Sequence, residues 1–231
     1  MNSDDLYEMF RTEMNDTVEP YLWSDEEVYG FVDSAQNKFV KLIGGLADTT
    51  SPFTMLPMTL TTDRVKIDKR ILKIRDAYRV SDGRLIEVIN FEDMRTRRIR
   101  FDGRTGMPEY LIIGMEPEYA RFYPAPATVD TVQLLVDRLP LHRITDEGDQ
   151  ELEVDEQHKD GLMYWMKYRG YSKQDAETFD KGRAADFEMK FKEYCGEALK
   201  EKARAMHKTR ITAYGGIPMH GGGSHYRPRV Y

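Results

Sequence analysis

Residues 23–45, WSDEEVYGFVDSAQNKFVKLIGG, read as one amphipathic helix with both ends marked, and they decide the class of the fold. Ser24 is followed three residues later by Glu27, so each side chain can take the other's backbone amide in a capping box. Val28, Phe31, Val32, Ala35, Phe39, Leu42 and Ile43 then recur at three- and four-residue spacing along one face. Gly44 and Gly45 supply the left-handed stop. Upstream, Leu6, Met9, Phe10 and Met14 fall near one helical face, with Ser3 available as N-cap, and predict a shorter amphipathic helix.

Downstream the period changes. Between Ser51 and Pro140 short β-type runs replace helical spacing, with strands expected at residues 64–67, 71–80, 85–90, 97–101, 110–115, 121–123 and 131–135. Asp82-Gly83 is the strongest local hairpin signal, of the type I′ kind that needs positive φ, and Asp102-Gly103 marks a second turn. Pro124-Ala125-Pro126 lacks two ladder donors, so it must be a strand end or an edge crossing. After an acidic link at 146–153, helical spacing returns with His158, Leu162, Trp165, Met166 and Arg169 and is expected to stop at Gly170. A last long helix is expected from Ser172, with Asp175 as a partial capping partner. Its inner stripe would be Ala176, Phe179, Phe187, Phe191, Tyr194, Cys195 and Ala198.

These segments predict an α+β fold: a helical bundle from the N- and C-terminal helices, a central antiparallel β insertion and an extended C-terminal tail. The expected divisions are 1–50 and 146–210 for the bundle helices, 51–145 for the β region and 211–231 for the tail. That tail, ITAYGGIPMHGGGSHYRPRVY, has five glycines and two prolines. Such a composition cannot bury a core of its own and would order only against a partner.

Composition narrows the function. The 231 residues are 40% hydrophobic and 32% charged, with a mean hydropathy of −0.64, and no stretch of 18 apolar residues is present to span a bilayer. The start of the chain, with Asp4, Asp5 and Glu8, lacks a basic-apolar export segment, so synthesis in a cytoplasm is expected. The single cysteine, Cys195, excludes an intrachain disulfide. Net charge is −6 and unevenly spread: eight acids against one lysine at 146–160, and six Lys or Arg with no acid at 202–231. Opposite charges at two places on one chain suit neighbours packing head to tail.

Candidate chemistry is sparse. The histidines at 142, 158, 207, 220 and 225 show no tight metal-ligand spacing, and Gly221-Gly222-Gly223-Ser224 lacks the strand and helix that flank a phosphate loop. No strand-to-helix nucleophile turn is present to carry Ser-His-acid catalysis. No cofactor and no metal site is expected. Converging carboxylates keep one alternative in play, a metal-dependent nuclease or other nucleic-acid-processing protein. A basic tail that binds nucleic acid is another. The arginine-rich segment, Arg95, Arg97, Arg98, Arg100 and Arg104 around Phe101, reads as an exposed hairpin that either guards a β edge with charge or meets an acidic neighbour or phosphates.

The order of parts resembles a known family. LWSDEEVYGFVDSAQNKFVKLIGGL (22–46), YLIIGMEPEYARFYPAPATVDTVQLLVDRLP (110–140), HKDGLMYWMKYRGYSKQDAETFDKGRAADFEMKFKEY (158–194) and AYGGIP (213–218) are similar to the adaptor proteins that join head to tail in tailed bacteriophages. The resemblance implies a non-enzymatic virion protein. It would form a homo-oligomeric ring, usually of twelve copies, below the portal protein, contacting tail or nozzle proteins and lining the passage for genomic DNA without reading its sequence. It also implies a C-terminal segment that clasps the portal. Tyr214, Gly215, Gly216, Ile217, Pro218 and Met219 would then be contacts, with Tyr226, and with Arg227 and Arg229 meeting acidic groups. The five arginines would face a neighbouring subunit or DNA.

Overall fold

The computed structural model describes residues 1–100, 103–175 and 177–207. The elements in chain order are α1 (Ser3–Glu13), α2 (Asp25–Leu42), β1 (Leu46–Asp48), β2 (Met55–Met58), β3 (Arg64–Lys66), β4 (Ile71–Arg79), β5 (Leu85–Asn90), α3 (Phe91–Thr96), β6 (Thr105–Gly106), β7 (Tyr110–Glu116), β8 (Tyr119–Tyr123), β9 (Ala125–Pro126), β10 (Asp130–Arg138), α4 (Lys159–Tyr171) and α5 (Lys181–His207). The fold is α+β.

Helix α2 forms as its local chemistry dictates. Ser24 Oγ accepts the Glu27 amide at 3.3 Å, the Ser24 amide donates to Glu27 Oε2 at 2.9 Å, and Gly44 and Gly45 both take positive φ. Helix α1 starts one residue earlier than Ser3 capping would give: Asn2 is the N-cap, paired reciprocally with Asp5, and Ser3 is inside the helix. α1, α2, α4 and α5 all contribute to one hydrophobic core, with Leu6 and Phe10, Val32 and Phe39, Leu162 and Met166, and Phe191 among its members.

Three expectations for the helices and turns are corrected. The last helix begins at Lys181, not Ser172, because α4 runs through Gly170 to Tyr171 and Ser172 closes it. Gly170 is there for packing: a Cβ would lie 3.1 Å from the ring of Phe10. Asp180 accepts the Arg183 amide at 3.0 Å and starts α5, and Phe179, outside the helix, is half exposed. Ala176 is outside the described residues. At Asp82-Gly83 a turn does join β4 to β5, but only Gly83 has positive φ, so it is not type I′. Asp82 instead takes the Arg79 guanidinium and the Arg84 amide.

The main sheet runs β1-β10-β4-β5-β7-β8-β3, with β2 pairing the other half of the β10 flank that β1 uses. It curls around a second core containing Leu56, Ile74, Ile86, Leu111, Phe122 and Leu134. The insertion is antiparallel for the most part, as expected, but contains two parallel pairings, β5 with β7 and the two-residue β6 with β9. The cause is α3. Asn90 Oδ1 accepts the Asp93 amide at 2.8 Å and caps a helix over Phe91–Thr96, which carries the chain across so that β7 enters beside β5 in the same direction. The expected strand at 97–101 is therefore absent over residues 97–100, which close α3 and turn away. Phe101 and Asp102, the latter half of the second expected turn, lie outside the described residues. Pro124 follows the end of β8, and Ala125 and Pro126 form the short edge β9.

Candidate functional site

The functional features that the sequence singles out are surfaces. Over its described residues the arginine segment lies in the end of α3 and the turn after it, not in a hairpin strand. Glu87, on β5, receives both terminal nitrogens of Arg97 at 2.7 and 2.6 Å. The paired guanidinium holds the Glu87 carboxyl below its ordinary range, and Arg97 is pushed up in turn. Arg95 reaches back one turn to Glu92 at 3.3 Å. Arg98, at φ 57°, donates its backbone amide to the Arg95 carbonyl at 3.0 Å; the side chains of Arg98 and Arg100 are exposed and have no hydrogen bond or ion pair among the described residues. Arg104 lies beyond the undescribed pair and its carbonyl accepts the Ala125 amide at 3.0 Å. Of the five arginines, Arg95 and Arg97 neutralise neighbours, and the charges of Arg98 and Arg100 have no partner among the described residues.

The acidic link folds onto the start of α1. The Ser3 amide donates to the Gln150 carbonyl at 2.8 Å, and the Asp149 amide donates to Asp4 Oδ1 at 3.0 Å. That amide and the Tyr29 hydroxyl hold Asp4 below the usual carboxyl range. Asp146, Glu147, Asp149 and Glu151 remain exposed beside Asp4 and Asp5. Glu153 departs from the run and turns inward to Arg138 at 2.6 Å.

A third surface was not evident from sequence. On the outer face of the sheet, Gln133 of β10 lies between Met55 of β2 and Tyr78 of β4, and Tyr78 faces Leu85 of β5. Met55, Tyr78 and Leu85 are 43%, 41% and 58% exposed, and Val80 adds 52% on the same face. The outer side of an antiparallel sheet is normally polar; here exposed apolar side chains flank Gln133 on both sides along one cross-strand row. Each residue taken singly looks like an ordinary strand residue; only the register brings them together.

Chemistry of other kinds finds little footing. Among the described residues no three His, Cys, Asp or Glu side chains are placed to hold a metal ion, so the nuclease alternative gains no support from geometry. His158 packs 4.7 Å from the Phe39 ring, with Nδ1 3.1 Å from the Tyr194 hydroxyl, and burial lowers its pKa. Burial likewise pushes the Cys195 thiol up to about 11, so it stays protonated and packs as an apolar group. Among the described residues no helix is long and apolar enough to cross a membrane. The expected portal contacts Tyr214, Gly215, Gly216, Ile217, Pro218, Met219, Tyr226, Arg227 and Arg229 all lie outside the described residues.

No curated protein matches the chain. The family model of the SU10 adaptor protein matches residues 1–213, which takes in both cores, the arginine segment and the acidic link. The chain belongs to the SU10 adaptor protein family, and so to the structural adaptors of the phage head-to-tail junction.

Proposed function

We propose that the chain works as a ring of twelve copies fixed below the portal, joining the capsid vertex to the tail and lining the path of the DNA. The family match over residues 1–213 carries this reading. Three features support it. Arg98 and Arg100 offer positive charge that no described residue neutralises, and Asp4, Asp5, Asp146, Glu147 and Asp149 offer negative charge elsewhere on the same chain. A ring needs two different, complementary patches on each subunit, since its contacts are heterologous. The apolar row Met55, Tyr78, Val80 and Leu85 supplies an anchor of the kind that charge alone lacks.

The segment from Tyr214 onward would clasp the portal. A glycine-rich extended peptide can add main-chain hydrogen bonds to a partner's sheet edge, with Tyr214, Ile217 and Met219 as side-chain anchors. Arg227 and Arg229 would meet acidic portal groups. A net charge of −6 on each subunit makes the whole ring strongly negative, which would let DNA slide past instead of adhering.

Native mass spectrometry of the protein mixed with purified portal, using the full chain and one lacking residues 211–231, tests the assignment. A defined ring on the portal that requires the tail is the expected result. A monomer that ignores the portal overturns it.

A further inference from the structure

Strand β4 has an unused flank. It pairs with β10 from Ile71 to Arg79, but on its other side β5 meets it only at Ala77↔Ile86 and Tyr78↔Leu85. From Glu87 onward β5 leaves to pair with β7. The sheet therefore splits, and among the described residues no strand pairs with residues 71–76 on that flank. The split opens a cleft of about 360 Å³ whose lining includes Ile71, Leu72, Ile113, Gly114 and Tyr119. Leu72 is 39% exposed there, and Ile71 and Ile113 are only half-buried against the sheet core. An open run of backbone donors and acceptors beside half-covered isoleucines is the template for one more strand.

We infer that residues 209–213 of this same chain, Thr-Arg-Ile-Thr-Ala, add to the open flank of β4 as an extra strand. The segment holds three β-branched residues in five, with Thr209, Ile211 and Ala213 alternating on one side and Arg210 and Thr212 on the other. It ends where Gly215-Gly216 begins a composition that disfavours a strand, and the family model ends at the same place, residue 213.

The path of α5 puts this segment within reach. Lys202 Nζ donates to the carbonyls of Ile43 and Gly45, at 3.2 and 2.5 Å, directly ahead of β1. Ala47 of β1 faces Asp137 of β10, and Asp137 faces Lys73 of β4. Three strand spacings of about 4.8 Å, roughly 14 Å in all, thus separate β1 from a strand added beyond β4. From Lys202 the helix covers about 7.5 Å to His207, and two extended residues add about 7 Å. The chain arrives at Thr209 with the length the added strand needs. Residues from Tyr214 onward stay available for another contact.

Amide hydrogen exchange tests this on the full chain, on a chain ending at His207, and on full-length Ile211→Pro, which removes a ladder donor without shortening the protein. The added strand requires that amides between Leu72 and Asp76 on the open flank exchange at least tenfold more slowly in the full chain than in either variant. Equal exchange in the full chain and Ile211→Pro overturns it. Protection that rises with protein concentration also overturns it, since the strand would then come from a second copy. As an independent check, Leu72→Cys with Thr212→Cys should oxidise to a crosslink at monomer mass; crosslinking only between chains rejects the assignment.

Discussion

The guanidinium of Arg138, at the end of β10, bonds the carboxylate of Asp48, at the end of β1, with both side chains nearly inaccessible to solvent. Arg138 also holds Glu153 at 2.6 Å, and the Glu153 amide donates to Gln36 of α2 at 2.8 Å. This chain of contacts joins the sheet core to the helical core. A buried pair of this kind is a poor source of net stability but expensive to break, since Asp48 left alone is an uncompensated buried charge and Arg138 without it keeps only Glu153. Arg138→Ala and Asp48→Ala should each destabilise the fold by about 3–5 kcal/mol. The double variant should cost much less than the sum, a coupling that denaturant titration of the four proteins of the cycle measures.

The same carboxylate makes stability depend on pH. Burial alone would raise the Asp48 pKa, but the Ser51 hydroxyl, Arg138 and the amides of Thr50 and Ser51 outweigh it and hold it far below its ordinary value. The native state therefore keeps the group ionised where the unfolded chain, with a pKa of about 3.9, has begun to bind a proton. Stability from this group is fully present above that value and is lost as pH falls below about 4 toward the native pKa. Asp48→Asn should flatten the acid limb of the stability curve; an unchanged slope would place the acid sensitivity elsewhere.

Gly161, in α4, lies against Tyr194 of α5, where a Cβ would come 2.3 Å from the ring. The ring cannot swing freely, because its hydroxyl contacts His158 and donates to the Gln157 carbonyl at 3.1 Å. In an open helix Gly→Ala stabilises by about 1 kcal/mol. Here the overpacking should win, and Gly161→Ala should destabilise by about 1–3 kcal/mol. Tyr194→Leu in the same chain should recover part of the loss, read as a shift in the urea midpoint.

How much of this was legible depends on how local the signal is. The start of α2 rests on Ser24 and Glu27, three residues apart, and formed as read. Asn90, three residues before Asp93, carried a side-chain cap for α3, but the alternation that follows in Arg97-Arg98-Ile99-Arg100 outweighed it in the sequence. Gly170 reads as a helix stop because its real constraint, the ring of Phe10, is distant in the chain. The parallel β5–β7 pairing and the apolar row of Met55, Tyr78 and Leu85 depend on register between strands far apart, which no window of sequence contains. The arginine segment was visible as charge, yet its division into paired and uncompensated members required Glu87 and Glu92 in place.

The apolar row should matter for assembly and not for folding. Leu85→Ser and Tyr78→Ser remove exposed surface, so each should change stability by no more than about 0.5 kcal/mol. If the row seats another subunit, sedimentation of these variants should show weakened oligomers. Intact assembly would mean that the row faces a different partner.

Arg98 and Arg100 separate charge from fold more cleanly still. Both side chains are exposed and bonded to nothing among the described residues, so Arg98→Glu with Arg100→Glu should leave the thermal midpoint nearly unchanged, as surface substitutions do within about 0.5 kcal/mol. In the proposed ring, contact between subunits is another matter, because two reversed charges would turn attraction to the acidic surface of a neighbour into repulsion. Assembly of the variant should weaken, and the remaining assembly should lose its sensitivity to salt, since screening at 0.15 M has a length of about 8 Å and acts on exposed pairs first. Asp146→Lys with Glu147→Lys should weaken assembly in the same way on its own. Combining all four substitutions should restore assembly, because the pair is then reversed and not removed. Light scattering across a salt series reads each outcome, and failure of the fourfold variant to recover would show that the arginines and this acidic surface do not meet.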